Sequence, residues 1–229
     1  IEGSHTGQSR FAVPRDTHLL DILDYIKVDP ALADLDSISL RRESLRLRQK
    51  QAIHDSLTRL ETAVLGRTAV TTEGAQIQLA EAQLLADFVN RARKVEPIGI
   101  LVVAKDGEVS NVLLQPEDII SIPEKTNIIQ VSGEVRVPQA LVYEPSFSLD
   151  DYIKRVGGYS NHADKKKHMI LRRNGEVIPV FGSPGNVAIR PGDEIISLPK
   201  VPSKSIDIIR MVTDTMFKIA ASASIFLRF

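Results

Sequence analysis

The segment LQPEDIISIP at 114–123 returns as IRPGDEIISLP at 189–199, one residue longer. A chain that closes two stretches alike is built from a repeated unit, and such a repeat constrains the fold more than any single motif. Read back from these ends, the second unit matches the start of the chain at an offset of 130. Ile1 falls on Val131, Gly3 on Gly133, Phe11 on Leu141, Leu19 on Leu149, Asp21 on Asp151 and Ile26 on Val156. After a slip of one residue, ISLRR (38–42) falls on MILRR (169–173), and NVLLQPED (111–118) falls on NVAIRPGD (186–193).

Each unit opens with an extended run around a glycine, as in IIQVSGEV (128–135), whose Ile, Val and Gln suit a pleated strand. A short second strand is expected next. A helix follows, with Leu19, Ile22, Leu23 and Ile26 in one copy and Leu149, Ile153 and Val156 in the other on a three-to-four residue period. Gly157-Gly158 stands where a helix end takes a left-handed residue. MILRRNGEVIPV then reads as two strands about Asn174-Gly175, a type I′ hairpin signal, and the Pro-x-Asp turn leads to the last strand. Strand, strand, helix, strand, strand, turn, strand is a β-grasp-like order.

The first copy is interrupted after ISLRR, and strand residues resume only at IGILVV (98–103). Between them Leu45, Ile53, Leu57, Leu60 and Val64 step by threes and fours, as do Ile77, Leu84 or Leu85, and Phe88. This predicts an antiparallel helical hairpin inserted at a hairpin tip, where insertions are best tolerated. The rows around Leu57, Leu60, Leu84 and Phe88 are expected to pack on one another, leaving Arg46 to Lys50 exposed.

After Pro202 the run SKSIDIIRMVTDTMFKIAASASIFLRF lacks Pro and Gly. On a helical wheel Asp207, Arg210, Asp214, Lys218 and Arg228 share one arc, while Ile206, Ile209, Val212, Met216, Ile219, Ala220, Ala223 and Leu227 gather opposite. Residues 206–229 would be about 36 Å long as a helix, against a hydrocarbon core of about 30 Å. A lone copy would carry its charges through lipid. A ring of copies would turn the charged arc toward a water-filled lumen and the apolar arc toward lipid. A helix docked on a soluble core and a helix lying flat in the interface are the other two readings.

The expected fold is therefore α+β: two β-grasp-like repeats, a helical hairpin inserted in the first, and a C-terminal amphipathic transmembrane helix. Its parts are 1–43 with 98–125, 44–97, 126–201 and 202–229. With 43% hydrophobic residues the chain can bury real cores, and 29 basic against 29 acidic side chains argue against nucleic acid as a partner. Cysteine is absent, which excludes disulfides, thiol catalysis and Cys-based metal sites. No G-x-S-x-G, H-E-x-x-H or P-loop is found, so no catalytic residue, cofactor or metal is expected. His162, Asp164 and His168 are only a weak metal candidate, on what reads as a loop beside the solvated run Lys165-Lys166-Lys167. That run also suits an acidic polymer. Arg41-Arg42 and Arg172-Arg173 read as edge-strand charges first and ligands second.

GEVRVPQALVYEPSFSLDDYIKRVGG, IRPGDEIISLPK, the insertion ending EAQLLADFVNRARKVEP and the terminal helix together resemble the outer-membrane polysaccharide export family. The resemblance is greatest to its capsule polysaccharide export subgroup, from ABC-transporter-dependent systems. It implies a homo-oligomeric ring of stacked β-grasp domains in the periplasm and outer membrane of a Gram-negative bacterium, closed by a barrel of amphipathic helices. Capsular polysaccharide would pass through it, with membrane lipid, an inner-membrane polysaccharide co-polymerase and the ABC transporter as partners. The family's amino-terminal export domain and lipid-anchored cysteine are not in this sequence, no secretion signal is visible, and the chain is expected to be the carboxy-terminal portion of a longer protein. SHTGQS (4–9) replaces EVRVPQ, so the first copy's opening hairpin is expected to differ. The rivals to a non-enzymatic conduit are a soluble periplasmic saccharide-binding or scaffold module and a carbohydrate-active enzyme with paired carboxylates.

Overall fold

The structure is a computed structural model that describes residues 1–66, 72–182, 187–201, 203 and 205–223. It is a mixed α+β fold with five α-helices among the described residues. The first sheet takes β1 (Glu2–Gly3), β2 (Ser39–Arg41), β3 (Ile100–Val102) and β6 (Ile119–Ile122), in the order β1-β6-β2-β3. Its helix is α1 (Leu19–Leu23), and β4 (Ala104–Lys105) and β5 (Glu108–Val109) form a separate ribbon. The second sheet takes β7 (Ile128–Gly133), β8 (Gln139–Val142), β9 (Ala163–Leu171), β10 (Val177–Phe181) and β11 (Glu194–Pro199), in the order β10-β9-β11-β7-β8, with α4 (Leu149–Arg155) beside it. Helices α2 (Glu43–Leu65), α3 (Thr72–Ala92) and α5 (Ile206–Ala223) make up the rest.

The two sheets share a plan. In each, the first strand runs parallel to the last (β1 with β6, β7 with β11), and the last runs antiparallel to the strand after the helix (β6 with β2, β11 with β9). Gly3 and Gly133 both have positive φ, and an added Cβ would strike a carbonyl oxygen on the last strand, that of Ile122 or Ser197. Only glycine allows that approach. Both helices begin alike: the Asp21 carboxylate accepts the His18 amide at 2.8 Å, and Asp151 accepts the Ser148 amide at 3.1 Å. Leu19, Ile22 and Ile26 are buried with Leu40, Ile120 and Ile122; Leu149, Tyr152, Ile153 and Val156 are buried with Ile129, Ile170 and Ile195. The first unit has no counterpart of β8 among its described residues.

Strands β2 and β3 pair directly, Leu40 opposite Leu101, although α2 and α3 lie between them in sequence. The corresponding connection in the second unit is the loop 172–176. There the expected type I′ turn at Asn174-Gly175 is not found. Gly175 has φ 89° and Asn174 is not among the positive-φ residues, and the Gly175 amide donates to the Arg172 carbonyl at 2.9 Å. Asn174 is spent on a tertiary contact, its Nδ2 donating to the Ala104 carbonyl at 2.7 Å. The turn with two positive φ values lies at Asp106-Gly107, between β4 and β5.

Register corrects the sequence alignment at both ends of the unit. Matching IISIP to IISLP puts Ile120 on Ile196, yet Ile120 faces α1 while Ile196 lies in the core under α2 and α5. The Pro-x-Asp turns keep an offset of 75 (Asp118 to Asp193), so Ile120 corresponds to Ile195, which faces α4. The extra residue is absorbed further on, where the β11–β9 register shifts between Ser197 and Pro199. By the same logic Leu40 corresponds to Ile170, and the slip assumed for ISLRR is not needed. A one-residue slip exchanges the two faces of a strand, so burial settles what identity left open.

Candidate functional site

Two places in this fold gather groups able to act: the terminal helix with its seat, and the paired Pro-x-Asp turns. Helix α5 starts after Ser205, whose carbonyl accepts the Ile209 amide at 3.1 Å. Asp207, Arg210, Asp214 and Lys218 are all on its exposed side, as the wheel sorts them. The opposite side is not free. Ile208, Val212, Met216, Ile219 and Ala220 are at most 4% exposed and share one core with Ile53, Leu57 and Leu60 of α2, Leu85 and Phe88 of α3, and Met169, Leu171, Ile196 and Leu198 of the second sheet. Lys218 Nζ donates to Ser56 Oγ on α2 at 2.7 Å, and the Ile98 amide donates to the Ser222 carbonyl at 2.8 Å. The polar side chains on the buried side satisfy themselves locally, Thr213 on the Ile209 carbonyl at 2.7 Å and Thr215 on that of Met211 at 2.8 Å.

The transmembrane helix expected for 202–229 thus lacks support here. Among the described residues no helix is long and apolar enough to cross a membrane. Of the residues assigned to lipid, Val212, Met216 and Ile219 are buried within the chain, Ile209 is half-buried and Ile206 is 70% exposed. The Ala223 side chain, Leu227 and Arg228 lie outside the described residues. The physical reason is that a wheel separates apolar from charged without naming what covers the apolar side. The hairpin rows need one correction as well, because Leu85 and not Leu84 packs beside Leu57, Leu60 and Phe88. Lys50 is exposed and salt-bridged to Glu96 at 2.7 Å, and Arg46 is held between Glu43 and Glu96.

In the first turn Asp118 accepts the Gln115 amide at 2.8 Å and both arms of Arg42, Nε at 3.0 Å and Nη2 at 2.7 Å. In the second, Asp193 accepts the Arg190 amide at 2.7 Å and is 2% exposed. Burial pushes its carboxyl up to about 6, against the opposing pull of Arg172 and Arg190. The signal for this pair was the opening repeat itself. The aspartates are legible as turn residues, whereas their arginine partners read as edge-strand charges.

His162, Asp164 and His168 are not brought together, and no group of three potential metal ligands occurs among the described residues. His168 is fully buried, its Nε2 at 2.9 Å from the Tyr159 hydroxyl, and burial holds the imidazole below its ordinary range and the phenol up at about 12. Lys165-Lys166-Lys167 lie on β9, not on a loop. A shallow groove between β10 and α5 is lined by Val177, Pro179, Phe217, Lys218 and Ala221, with Phe181 edge-on to Phe217 at 5.8 Å.

Against known proteins, the chain is 32% identical to two curated relatives over 227 residues, 99% of its own length, and that likeness supports the capsule polysaccharide export family. The relatives are two polysialic acid transport proteins KpsD of Escherichia coli, and the chain spans 40% of the length of each. No family model matches.

Proposed function

We propose that the chain is part of an oligomeric conduit through which capsular polysaccharide crosses the periplasm and outer membrane of a Gram-negative bacterium. The observation that carries this is the 32% identity, over 99% of the chain, to proteins named for polysialic acid transport. The two sheets act as β-grasp repeats that stack subunit on subunit, with the helical hairpin as an insertion in the first. The charged row Asp207, Arg210, Asp214 and Lys218 faces the aqueous path. The work is positional, with no covalent chemistry and no cofactor, and an inner-membrane co-polymerase and ABC transporter deliver the polymer. Electron microscopy of the full-length protein in detergent tests this: rings are expected. Monomers alone in the micrographs, together with capsule that is still displayed when the gene is deleted, would overturn it.

A second reading is favoured by the seat of α5. In a soluble periplasmic scaffold the helix stays on α2 and the second sheet, whereas lipid contact by Val212, Met216 and Ile219 requires it to leave. Cysteines placed at Ser56 and Lys218 and bridged by a short reducible cross-linker separate the two. Export that stops on cross-linking and returns on reduction supports a helix that moves; export that continues supports the scaffold.

A further inference from the structure

The two Pro-x-Asp turns are equivalent bond for bond until the last contact. Residues of the turns correspond at an offset of 75 (113 to 188, 115 to 190, 118 to 193) and the arginines at 130 (42 to 172). The Gln115 and Arg190 amides each donate to their aspartate, at 2.8 and 2.7 Å. Arg42 Nη2 donates to the Leu113 carbonyl at 2.9 Å, and Arg172 Nη2 to the Ala188 carbonyl at 3.3 Å. The fork that joins Arg42 to Asp118 is absent from the second turn. Arg172 is 9% exposed, and its Nε and Nη1 find no hydrogen-bond partner among the described residues, Nε standing 3.6 Å from Glu176 Oε2.

We propose that the second turn is an open clamp, which closes into an Arg172–Asp193 pair of the Arg42–Asp118 kind when Asp193 gives up its proton and opens when it regains one. A neutral carboxyl tolerates this buried position while accepting a single amide; an ionised one needs a cation with free donors. Arg172 supplies them, and it gains partners for two buried nitrogens in doing so. The other charged groups around Asp193 are already engaged: Arg190 holds Asp106 at 2.6 Å, and Glu176 holds Lys105 at 2.7 Å, both across to the β4–β5 ribbon of the first unit. Closure therefore withdraws Arg172 from Glu176 and leaves that carboxylate wholly to Lys105, so the grip between the two units tightens as the clamp shuts. Burial that raises the Asp193 carboxyl to about 6 places the change in mild acid.

The native protein carries its own reference, because Arg42 is already clamped. In 15N spectra with Arg172 assigned through Arg172→Lys, the Nε–H of Arg42 should be protected from solvent exchange at about pH 5 and at about pH 7.5. That of Arg172, measured relative to Arg42, should gain about tenfold protection between those values, and Asp193→Asn should abolish the gain. Equal protection of Arg172 at both values, or a gain that survives in Asp193→Asn, would overturn the clamp. The 13C titration of the Asp193 carboxyl needs no variant: its midpoint should coincide with that of Arg172 protection, and two separate midpoints would also overturn it.

Discussion

At the scale of single residues, the buried groups decide how this chain responds to acid. His168 is fully buried and its imidazole is held below its ordinary value, so the native state takes up fewer protons than the unfolded chain as pH drops. The stability it contributes is present above the unfolded value near 6.5 and is lost as pH falls below it, by at most about 1.4 kcal/mol per unit. His168→Gln should remove that part of the acid limb. Urea midpoints measured from pH 7.5 down to 5 would check it, and wild type and variant falling in parallel would refute the assignment. Gly133→Ala should cost more than about 2 kcal/mol, because φ of 75° and the Ser197 carbonyl leave no room for a Cβ. An unchanged thermal midpoint would show that the parallel β7–β11 pair can part there. The glycine was legible from its place in the repeat. The histidine was not, since a His in a lysine-rich stretch reads as surface until the strand that carries it is seen to be covered.

At the scale of elements, period was readable and partners were not. The three-to-four spacing in 44–97 places both helices of the insertion, and α2 and α3 span 23 and 21 residues. It left Leu84 and Leu85 undecided, because two adjacent leucines differ by only a third of a turn in which neighbour they meet. Leu85 is 3% exposed and Leu84 54%. Leu85→Asp should therefore destabilise by several kcal/mol by burying an unpaired charge, while Leu84→Asp should stay within about 1 kcal/mol. Chemical denaturation of the two variants side by side is the measurement, and similar losses would show that α3 is turned differently on α2. The turns carry the same lesson. Asp106-Gly107 and Asn174-Gly175 are equal signals on paper, yet only the first takes two positive φ values, because Asn174 is claimed by Ala104 from another part of the fold.

At the scale of the whole molecule, α5 is the cover of a shared core. At the positions that correspond to Met169 and Leu171, the first unit has Ser39 and Arg41, so the second sheet alone offers an apolar seat on that side. Ending the chain after Val201 should expose Met169, Leu171, Ile196 and Leu198 together with Ile53 and Leu57. We expect a lower thermal midpoint and new binding of a hydrophobic dye. A truncated protein that melts as before would mean that α5 is expendable to the fold and free for another task.

The repeat, its glycines and the helical period within 44–97 were all present in the order of residues, because each rests on local backbone geometry that a few neighbours suffice to specify. The register of β6 and β11, the choice of Leu85, the open Arg172–Asp193 turn and the seat of α5 came from elsewhere in the chain. Those depend on which surface arrives to bury a given side, and an apolar face carries no mark of whether its partner will be lipid, a second copy or the chain itself.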